Sequence, residues 1–255
     1  MGRTPPPAPS VAYGDHPDQV ANLHLPAREG GPWPCVVLLH GGFWRTGWDR
    51  TLMTPLAIDL AGRGIAAWNV EYRRVGQEGG GWPGTLEDVA AAVDRLAEID
   101  DVDTGRVVTC GHSAGGHLAL WLAARPRIPA GMPGADPRVA PVAAVAQAGV
   151  CDLDRARSEN LGNGAVEGLL GPHDPARLAA ASPAALAPLG VPQLLVHGAA
   201  DDIVPVSQSR VQAALDPDAE LVELPGVDHF EVIEPASTAW VAVLDRLDGY
   251  LGGSG

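Results

Sequence analysis

Ser113 lies in a segment whose composition and setting can activate a serine hydroxyl. Residues 111–116 read Gly-His-Ser-Ala-Gly-Gly, follow the apolar run 107–110 and open a helical pattern over 114–124. Gly-x-Ser-x-Gly between a strand and a helix forms a tight turn that lifts the hydroxyl to where a base can reach it. Outside this context, an incidental serine in a glycine-rich connection would be the better interpretation. In this context the pattern predicts that Ser113 is a nucleophile.

His229 is the base that the sequence predicts for this nucleophile. A serine hydroxyl attacks at neutral pH only when a neighbouring group takes its proton. Where the serine occupies such a turn, an acid and then a histidine follow it along the chain. His173 falls in an irregular region, and His197 ends an apolar run like a packed turn residue. His229 lies between the last expected strand and the last expected helix, which is where the base belongs.

An acidic residue must orient the histidine, and four aspartates downstream of Ser113 are candidates. Asp201 and Asp202 directly follow the apolar run 193–196, while Asp152 and Asp154 follow an earlier one and are weaker alternatives. Adjacent residues in a loop point in different directions, so only one of Asp201 and Asp202 can meet His229. The other aspartates are expected to cap turns or helices with their carboxylates.

Backbone N–H groups must stabilise the oxyanion that forms when a serine attacks a carbonyl. One donor is the residue after the nucleophile, Ala114, and the other comes from the loop after an early strand. Residues 40–44, His-Gly-Gly-Phe-Trp, follow the apolar run 35–39, and their glycines let N–H groups turn inward. We therefore assign the oxyanion hole to Gly42, Phe43 and Ala114, and give His40 a structural role as the anchor of this loop.

Alternating strand and helix patterns must position these residues. Short runs rich in Val, Ile and Leu alternate with Ala- and Leu-rich segments, which predicts a mostly parallel sheet with helices on both faces, an α/β fold. Strands are expected at 35–39, 65–70, 107–110, 142–146, 193–196 and 221–224, and helices at 52–61, 86–99, 114–124, 207–215 and 237–251. Residues 127–141 form a loop, and 152–189 form a small insertion placed to cover the carboxyl edge of the sheet.

The length of 255 residues fits one domain, assigned to residues 35–251. Residues 1–34 are expected to supply an edge strand or to be partly disordered, and residues 252–255 to form a frayed tail. No secretory signal and no membrane span is readable, which favours a cytoplasmic protein. The sequence is compatible with a homo-oligomer.

Composition excludes several kinds of chemistry. All 17 basic residues are arginine. The lack of lysine rules out Schiff-base, pyridoxal phosphate, P-loop and Ser-Lys mechanisms. A formal charge of -14 disfavours nucleic-acid and membrane-surface partners. Cys35, Cys110 and Cys151 are expected to be core thiols. No metal and no cofactor is expected.

The motifs together resemble the HGG-type esterase branch of the α/β-hydrolase superfamily. That branch holds hormone-sensitive-lipase-like esterases, small acetyl and feruloyl esterases and kynurenine formamidases, and the segment ending at Trp44 is most similar to the formamidase pattern HGGxW. Further matches are residues 71–74, Glu-Tyr-Arg-Arg, and 82–84, Trp-Pro-Gly. Residues 197–205 resemble the acid loop of the family, and this resemblance selects Asp201 over Asp202. The residues before Cys35 are too few to build the helical cap of many lipase-like relatives, which argues against large lipidic substrates.

The leading hypothesis is therefore a serine hydrolase that cleaves a small carboxylic ester or an aryl-formamide through an acyl-enzyme. Its partner would be a small-molecule ester or amide, bound in an aromatic pocket lined by Trp44, Trp48 and Trp82. A peptidase acting on short peptides is an alternative, since the same groups cleave amides. A non-catalytic ligand receptor on the same fold is a second alternative, disfavoured because the triad and the oxyanion hole are all present.

Overall fold

The computed structural model describes residues 8–252 and shows one eight-stranded sheet covered by helices. The strand order is β1-β2-β4-β3-β5-β6-β7-β8. β1 pairs antiparallel with β2, and β2 pairs antiparallel with β4, whereas the six strands from β3 to β8 are parallel. The strands are β1 Ser10–Ala12, β2 Val20–His24, β3 Trp33–Leu39, β4 Ala66–Val70, β5 Val102–His112, β6 Ala143–Gln147, β7 Gln193–Gly198 and β8 Ala219–Leu224.

Nine α-helices lie among the described residues. Four connect successive parallel strands and one follows the last strand. They are α1 Thr54–Gly62, α2 Gly84–Asp94, α3 Ala114–Ala124, α8 Ser207–Leu215 and α9 Thr238–Tyr250. Four short ones form the insertion between β6 and β7: α4 Leu153–Ser158, α5 Ala165–Leu170, α6 Pro175–Ala181 and α7 Pro183–Leu186. Short 3₁₀ helices lie at Arg50–Met53, Arg95–Glu98, Arg125–Arg127 and Glu231–Ile233.

The alternation of side chains along the central strands divides the core into two main layers. In β3, Val37 and Leu39 face the layer that contains α2 and α3, while Val36 and Leu38 face the layer that contains α1 and α9. Successive side chains of a strand point to opposite faces, so a strand buried on both sides is apolar throughout. This explains why β3 reads as a nearly continuous apolar run, and why β4 and β6 are apolar except for the buried Asn69 and Gln147. The predicted α/β-hydrolase fold with helices on both faces is confirmed.

Several elements differ from the sequence-based expectation. β5 begins at Val102, five residues before the expected start, and the helix expected at 86–99 ends as α2 at Asp94 and continues as a 3₁₀ turn. The segment 1–34 contributes β1 and β2 to the sheet edge. Residues 1–7 of that segment and residues 253–255 of the expected tail lie outside the described residues. Among residues 8–252, no helix is long and apolar enough to cross a membrane.

The start of α3 is pressed directly onto the sheet. A methyl group added to Gly115 would lie 2.1 Å from the carbonyl oxygen of Leu39 and 2.6 Å from that of His40. On the other side of the turn, a methyl group on Gly111 would lie 2.0 Å from the carbonyl oxygen of Gly115. These contacts join backbone to backbone, so no side-chain movement can relieve them. The helix can begin at the carboxyl end of β5 only with glycine at these positions.

Gly115→Ala should destabilise the protein by at least about 3 kcal/mol, because overpacking against backbone cannot relax. Gly249→Ala is a matched control within α9, where an added methyl group meets no atom within 4 Å. There, alanine should stabilise the helix by about 0.5 to 1 kcal/mol. Urea unfolding of the wild type and both variants measures these differences. Equal stabilities of the two variants would contradict the steric argument.

Candidate active site

Ser113 occupies the strained turn between β5 and α3. Its backbone has φ 57° and ψ -117°, a conformation that costs a non-glycine residue energy and persists only where the surroundings enforce it. The enforcing contacts are the close glycine packing of α3 on β3 and a hydrogen bond from the Ser113 N–H to the carbonyl oxygen of Gln147, at 2.8 Å. Ser113 is only 3% exposed. The hydroxyl is therefore held at the carboxyl edge of the sheet, where the loops after the strands converge.

His229 and Asp201 form a buried pair at the same edge. Nδ1 of His229 lies 2.7 Å from Oδ2 of Asp201, and the side chains are 4% and 0% exposed. Since a carboxylate only accepts hydrogen bonds, Nδ1 of His229 carries the hydrogen, and Nε2 is left to accept a proton. Asp201 follows β7 and His229 follows β8, so adjacent parallel strands deliver the two residues to neighbouring loops.

Asp201 is held ionised by a complete set of hydrogen bonds. Its Oδ1 accepts from the N–H groups of Ile203 and Val204, at 2.9 and 2.8 Å, and its Oδ2 lies 3.3 Å from Nε2 of His197. Burial alone would raise the pKa of Asp201, but the neighbouring His197 and His229 side chains and the N–H of Val204 together hold that pKa well below its usual range. His197, expected only to pack a turn, thus also supports the acid.

The other candidate aspartates have different surroundings. Asp202 is exposed to solvent. Asp152 caps the N-terminus of α4, where its carboxylate accepts from the N–H groups of Asp154 and Arg155 at 3.0 and 3.1 Å. This is the backbone-capping role expected of most aspartates in turns. Of these aspartates, the structure brings Asp201 to His229.

His112 connects the serine turn to the histidine loop. Its Nε2 donates to the carbonyl oxygen of His229 at 2.8 Å, and the two rings lie 4.6 Å apart between centroids. Burial, reinforced by the neighbouring His229, lowers the pKa of His112 to about 3, so its ring is neutral. Within the described residues, Ser113 Oγ makes no hydrogen bond to His229. Such contacts are often long without substrate and tighten when it binds.

The loop after β3 packs against the serine turn. Gly42, Phe43 and Trp44 have φ values of 110°, 51° and 57°, in the left-handed region. Gly41 packs against the serine turn, since a methyl group added to it would lie 3.0 Å from Cβ of Ser113. Among residues 8–252, the N–H groups of Gly42, Phe43 and Ala114 donate to no protein acceptor. These unpaired donors belong to the serine turn and to the loop packed against it, and they are available to bind a negatively charged oxygen.

A buried carboxylate fixes the base of this loop. Oε1 of Glu71 lies 2.9 Å from Nε2 of His40, and Oε2 accepts from the N–H of Arg50 at 3.0 Å. The His40 ring stacks on Tyr72 with centroids 4.4 Å apart, and Tyr72 donates its hydroxyl hydrogen to the His40 carbonyl oxygen at 2.8 Å. Arg74 supplies a further cation 3.4 Å from Glu71. His40 has the anchoring surroundings expected for it, whereas Glu71 was noted only as part of a family match.

The three tryptophans expected to line a pocket have different positions. Trp44 is 1% exposed, packs in the core and donates its indole hydrogen to Nδ1 of His117 at 3.2 Å, so it lies in the interior and not at a pocket mouth. Trp48 is 46% exposed, lies against Gly42, and has its ring 5.6 Å from that of Phe230. Trp82 is half-buried, and its N–H donates to Leu169 of α5 at 2.6 Å. Of the three side chains, only that of Trp48 is exposed and lies against Gly42.

Two other features bear on ligands. In the part of the chain that the structure describes, no group of three or more His, Cys, Asp or Glu side chains is arranged to hold a metal ion. A cavity of about 240 Å³ lies at the opposite, amino end of the sheet, lined in part by Arg28, Trp33, Arg63 and Arg106. Ser113, Asp201 and His229 do not line it.

The parallel sheet, the serine turn and the His–Asp pair after the last strands define an α/β-hydrolase. A protein-family model described as BD-FAE matches residues 21–214. The chain belongs to this family, an α/β-hydrolase-type esterase family, and the expected resemblance to HGG-type esterases is confirmed. The chain is an esterase-type hydrolase.

The chain is similar in sequence or in structure to several known proteins. An uncharacterized protein of Mycobacterium tuberculosis is 30% identical over 216 residues, which cover 83% of this chain and 68% of that protein. Esterase LipC of the same organism is 28% identical over 253 residues, which cover 89% of this chain and 61% of LipC. A truncated carbohydrate esterase from gut microbiota superposes with a TM-score of 0.79 at 19% identity, covering 95% of each chain, and shows the shared fold.

Asp201→Asn should lower kcat for ester hydrolysis by about 10³ to 10⁴, because an amide in place of the carboxylate favours the wrong tautomer of His229. Asp202→Asn is the matched control, since this neighbouring carboxylate is exposed and should change kcat less than twofold. Hydrolysis of p-nitrophenyl acetate, with melting temperatures to show that both variants fold, measures the effect. A larger loss in Asp202→Asn would contradict the assignment.

Proposed function

We propose that the chain is a serine esterase that hydrolyses small carboxylic esters through an acyl-enzyme on Ser113. The observation that carries this proposal is the 2.7 Å contact between His229 and a fully buried, ionised Asp201, beside a serine held in a strained turn. Gly42, Phe43 and Ala114 complete the arrangement with unpaired N–H groups. A serine, a base, an oriented acid and oxyanion donors are the full set of groups that acyl transfer requires.

Each group has a defined part in the reaction. As Ser113 Oγ attacks the ester carbonyl carbon, Nε2 of His229 takes the hydroxyl proton, and the N–H groups of Gly42, Phe43 and Ala114 stabilise the oxyanion. Collapse of this intermediate breaks the bond to the alcohol, which leaves with the proton from His229. Water then attacks the acyl-serine by the same route and releases the acid. Asp201 stays ionised throughout, consistent with its lowered pKa, and stabilises the imidazolium.

The surroundings of the serine favour a small acyl group. Ser113 and His229 are each 3% exposed, so the approach to the hydroxyl is narrow. The helices of the insertion contain only four to seven residues each and do not form an extended apolar cap. A long acyl chain would therefore find little apolar surface to bury, and each unburied methylene forfeits about 0.8 kcal/mol of binding.

An ester is favoured over an aryl-formamide as the substrate. The formamidase resemblance depends on Trp44, the last residue of the HGGxW-like segment, but this side chain is buried in the core and hydrogen-bonded to His117. The match of Trp44 to the HGGxW pattern is explained by its packing in the core and gives no information about a formyl group. N-formylkynurenine is therefore included in the assays as the competing substrate.

Ser113→Ala should reduce kcat by about 10⁶, since removing the nucleophile from a triad that acts as a unit removes nearly all turnover. The wild type should be labelled covalently by a fluorophosphonate and the variant should not. The change removes one oxygen atom, so the melting temperature should stay close to that of the wild type. A folded variant that keeps a tenth of the activity would overturn the mechanism, and a wild type that resists labelling would favour a non-catalytic receptor.

Among p-nitrophenyl esters of increasing acyl length, kcat/KM should be highest for acetate or butyrate and should decline at C8 and C12. The expected cause is the small apolar surface around Ser113. Assays with the C2, C4, C8 and C12 esters at equal enzyme concentration, together with N-formylkynurenine, measure this preference. A maximum at C8 or longer would refute the short-acyl site, and faster cleavage of N-formylkynurenine than of every ester would favour an arylformamidase.

A further inference from the structure

Arg45 joins the oxyanion loop to the insertion. The oxyanion loop is residues 41–45, and the insertion turn is residues 159–164, between α4 and α5. The guanidinium of Arg45 donates one hydrogen bond to the carbonyl oxygen of Gly162 at 2.8 Å and another to that of Asn163 at 2.9 Å. These residues are separated by 117 and 118 positions in the sequence. Two bonds from one planar group fix both the distance and the angle between the segments.

The insertion turn is shaped to receive Arg45. Asn160, Gly162, Asn163 and Gly164 have φ values of 51°, 60°, 51° and 74°, all in the left-handed region. Asparagine and glycine tolerate this region better than other residues. This unusual run of backbone presents two successive carbonyl oxygens to a single guanidinium.

A second contact lies directly beside the first. A methyl group added to Gly162 would lie 2.6 Å from two atoms of the Phe43 ring. The ring of Phe43 is therefore seated on the bare backbone of Gly162. The residue that carries one proposed oxyanion donor thus packs on the same glycine whose carbonyl binds Arg45.

The rest of the oxyanion loop is anchored at a different place. The carbonyl oxygen of Trp44 accepts from the N–H of Val75 at 2.7 Å, and the Trp44 indole donates to His117. Both contacts hold Trp44 against the core. Phe43 has a positive φ of 51° that its own type does not favour, and its ring rests on the insertion turn.

We propose that Arg45 is a positioning residue: by bracing the oxyanion loop against the insertion turn, it keeps the N–H groups of Gly42 and Phe43 aimed at the oxyanion. The kinetic consequence of this inference depends on the proposed esterase function. The insertion then acts as a fixed support of the catalytic geometry. Misplacing oxyanion donors weakens binding of the transition state more than binding of the ester, because the negative charge develops only in the transition state.

The kinetic test compares Arg45→Ala with Arg45→Lys and with Arg177→Ala. Arg177 is the matched control, because it also donates to a backbone carbonyl of the insertion, that of Leu170 at 3.0 Å, without touching the oxyanion loop. For p-nitrophenyl acetate, Arg45→Ala should lower kcat about tenfold and change KM less than twofold. Arg45→Lys, which can keep one bond, should lie between it and the wild type. Arg177→Ala should match the wild type.

Affinity for trifluoroacetone separates donor positioning from general loosening. Addition of Ser113 Oγ to this ketone passes the hydroxyl proton to His229 and leaves an oxyanion on the former carbonyl oxygen. In Arg45→Ala, its inhibition constant should therefore rise by the same factor as kcat falls. A higher KM at unchanged kcat would instead make Arg45 a substrate contact, and an unchanged kcat and inhibition constant would overturn the proposal.

Hydrogen exchange tests the brace without relying on turnover. In Arg45→Ala, the hydrogen-bonded amides at positions 45, 161 and 163 should exchange at least tenfold faster than in the wild type, while α9 is unchanged. Exchange that is equal in the two proteins would overturn the brace even if the enzyme were inactive. Conversely, a wild type that neither turns over esters nor reacts with a fluorophosphonate would refute the esterase proposal and leave the exchange result to decide the brace.

Discussion

The contact of backbone with backbone where α3 meets β3 is the constraint on which the site depends. Gly111, Gly115 and Gly116 lie so close to neighbouring main chain that an added methyl group would fall 2.0, 2.1 and 2.8 Å from it. The helix therefore begins directly at the sheet edge, and Ser113 is forced into its strained conformation. Ala114, which carries one of the proposed oxyanion donors, is the first residue of this helix. The close packing of the glycines thus sets the position of the proposed nucleophile and of one proposed oxyanion donor.

Two buried carboxylates stabilise the loops around that contact. Asp201 orients His229, and Glu71 fixes His40 at the base of the oxyanion loop. A buried charge is tolerated only when it is paired and hydrogen-bonded, and both carboxylates meet this condition through several donors. The chain has a net charge of -14. Local ion pairs and hydrogen bonds, and not this net charge, decide where a carboxylate can be buried. Arg45 is only partly buried and joins the insertion to the same region by donating to two carbonyl oxygens.

The fold was largely predictable because its central strands are buried on both faces and read as continuous apolar runs. β1 and β2 were not predicted as separate strands, since an edge strand is short and only partly buried and gives no such run. The pairing of β2 with β4 depends on partners more than 40 residues away, as between Asn22 and Asn69. Likewise, the break between α2 and the 3₁₀ turn after Asp94 depends on how the chain enters β5.

The sequence by itself was enough to propose the chemical groups: Ser113 from its turn motif, His229 from its place after the last strand, and the donors of the loop after β3. These signals are local, because each needs only a few adjacent residues to adopt a particular backbone. The tertiary structure decided which side chains meet, although the family resemblance had already favoured Asp201 over Asp202. Asp201 and Asp202 are neighbours with the same carboxylate, and Trp44 and Trp48 are both tryptophans near one loop, yet burial separates the members of each pair. The contact of Arg45 with the insertion turn arises only when the chain folds, because it joins segments that are distant in the sequence.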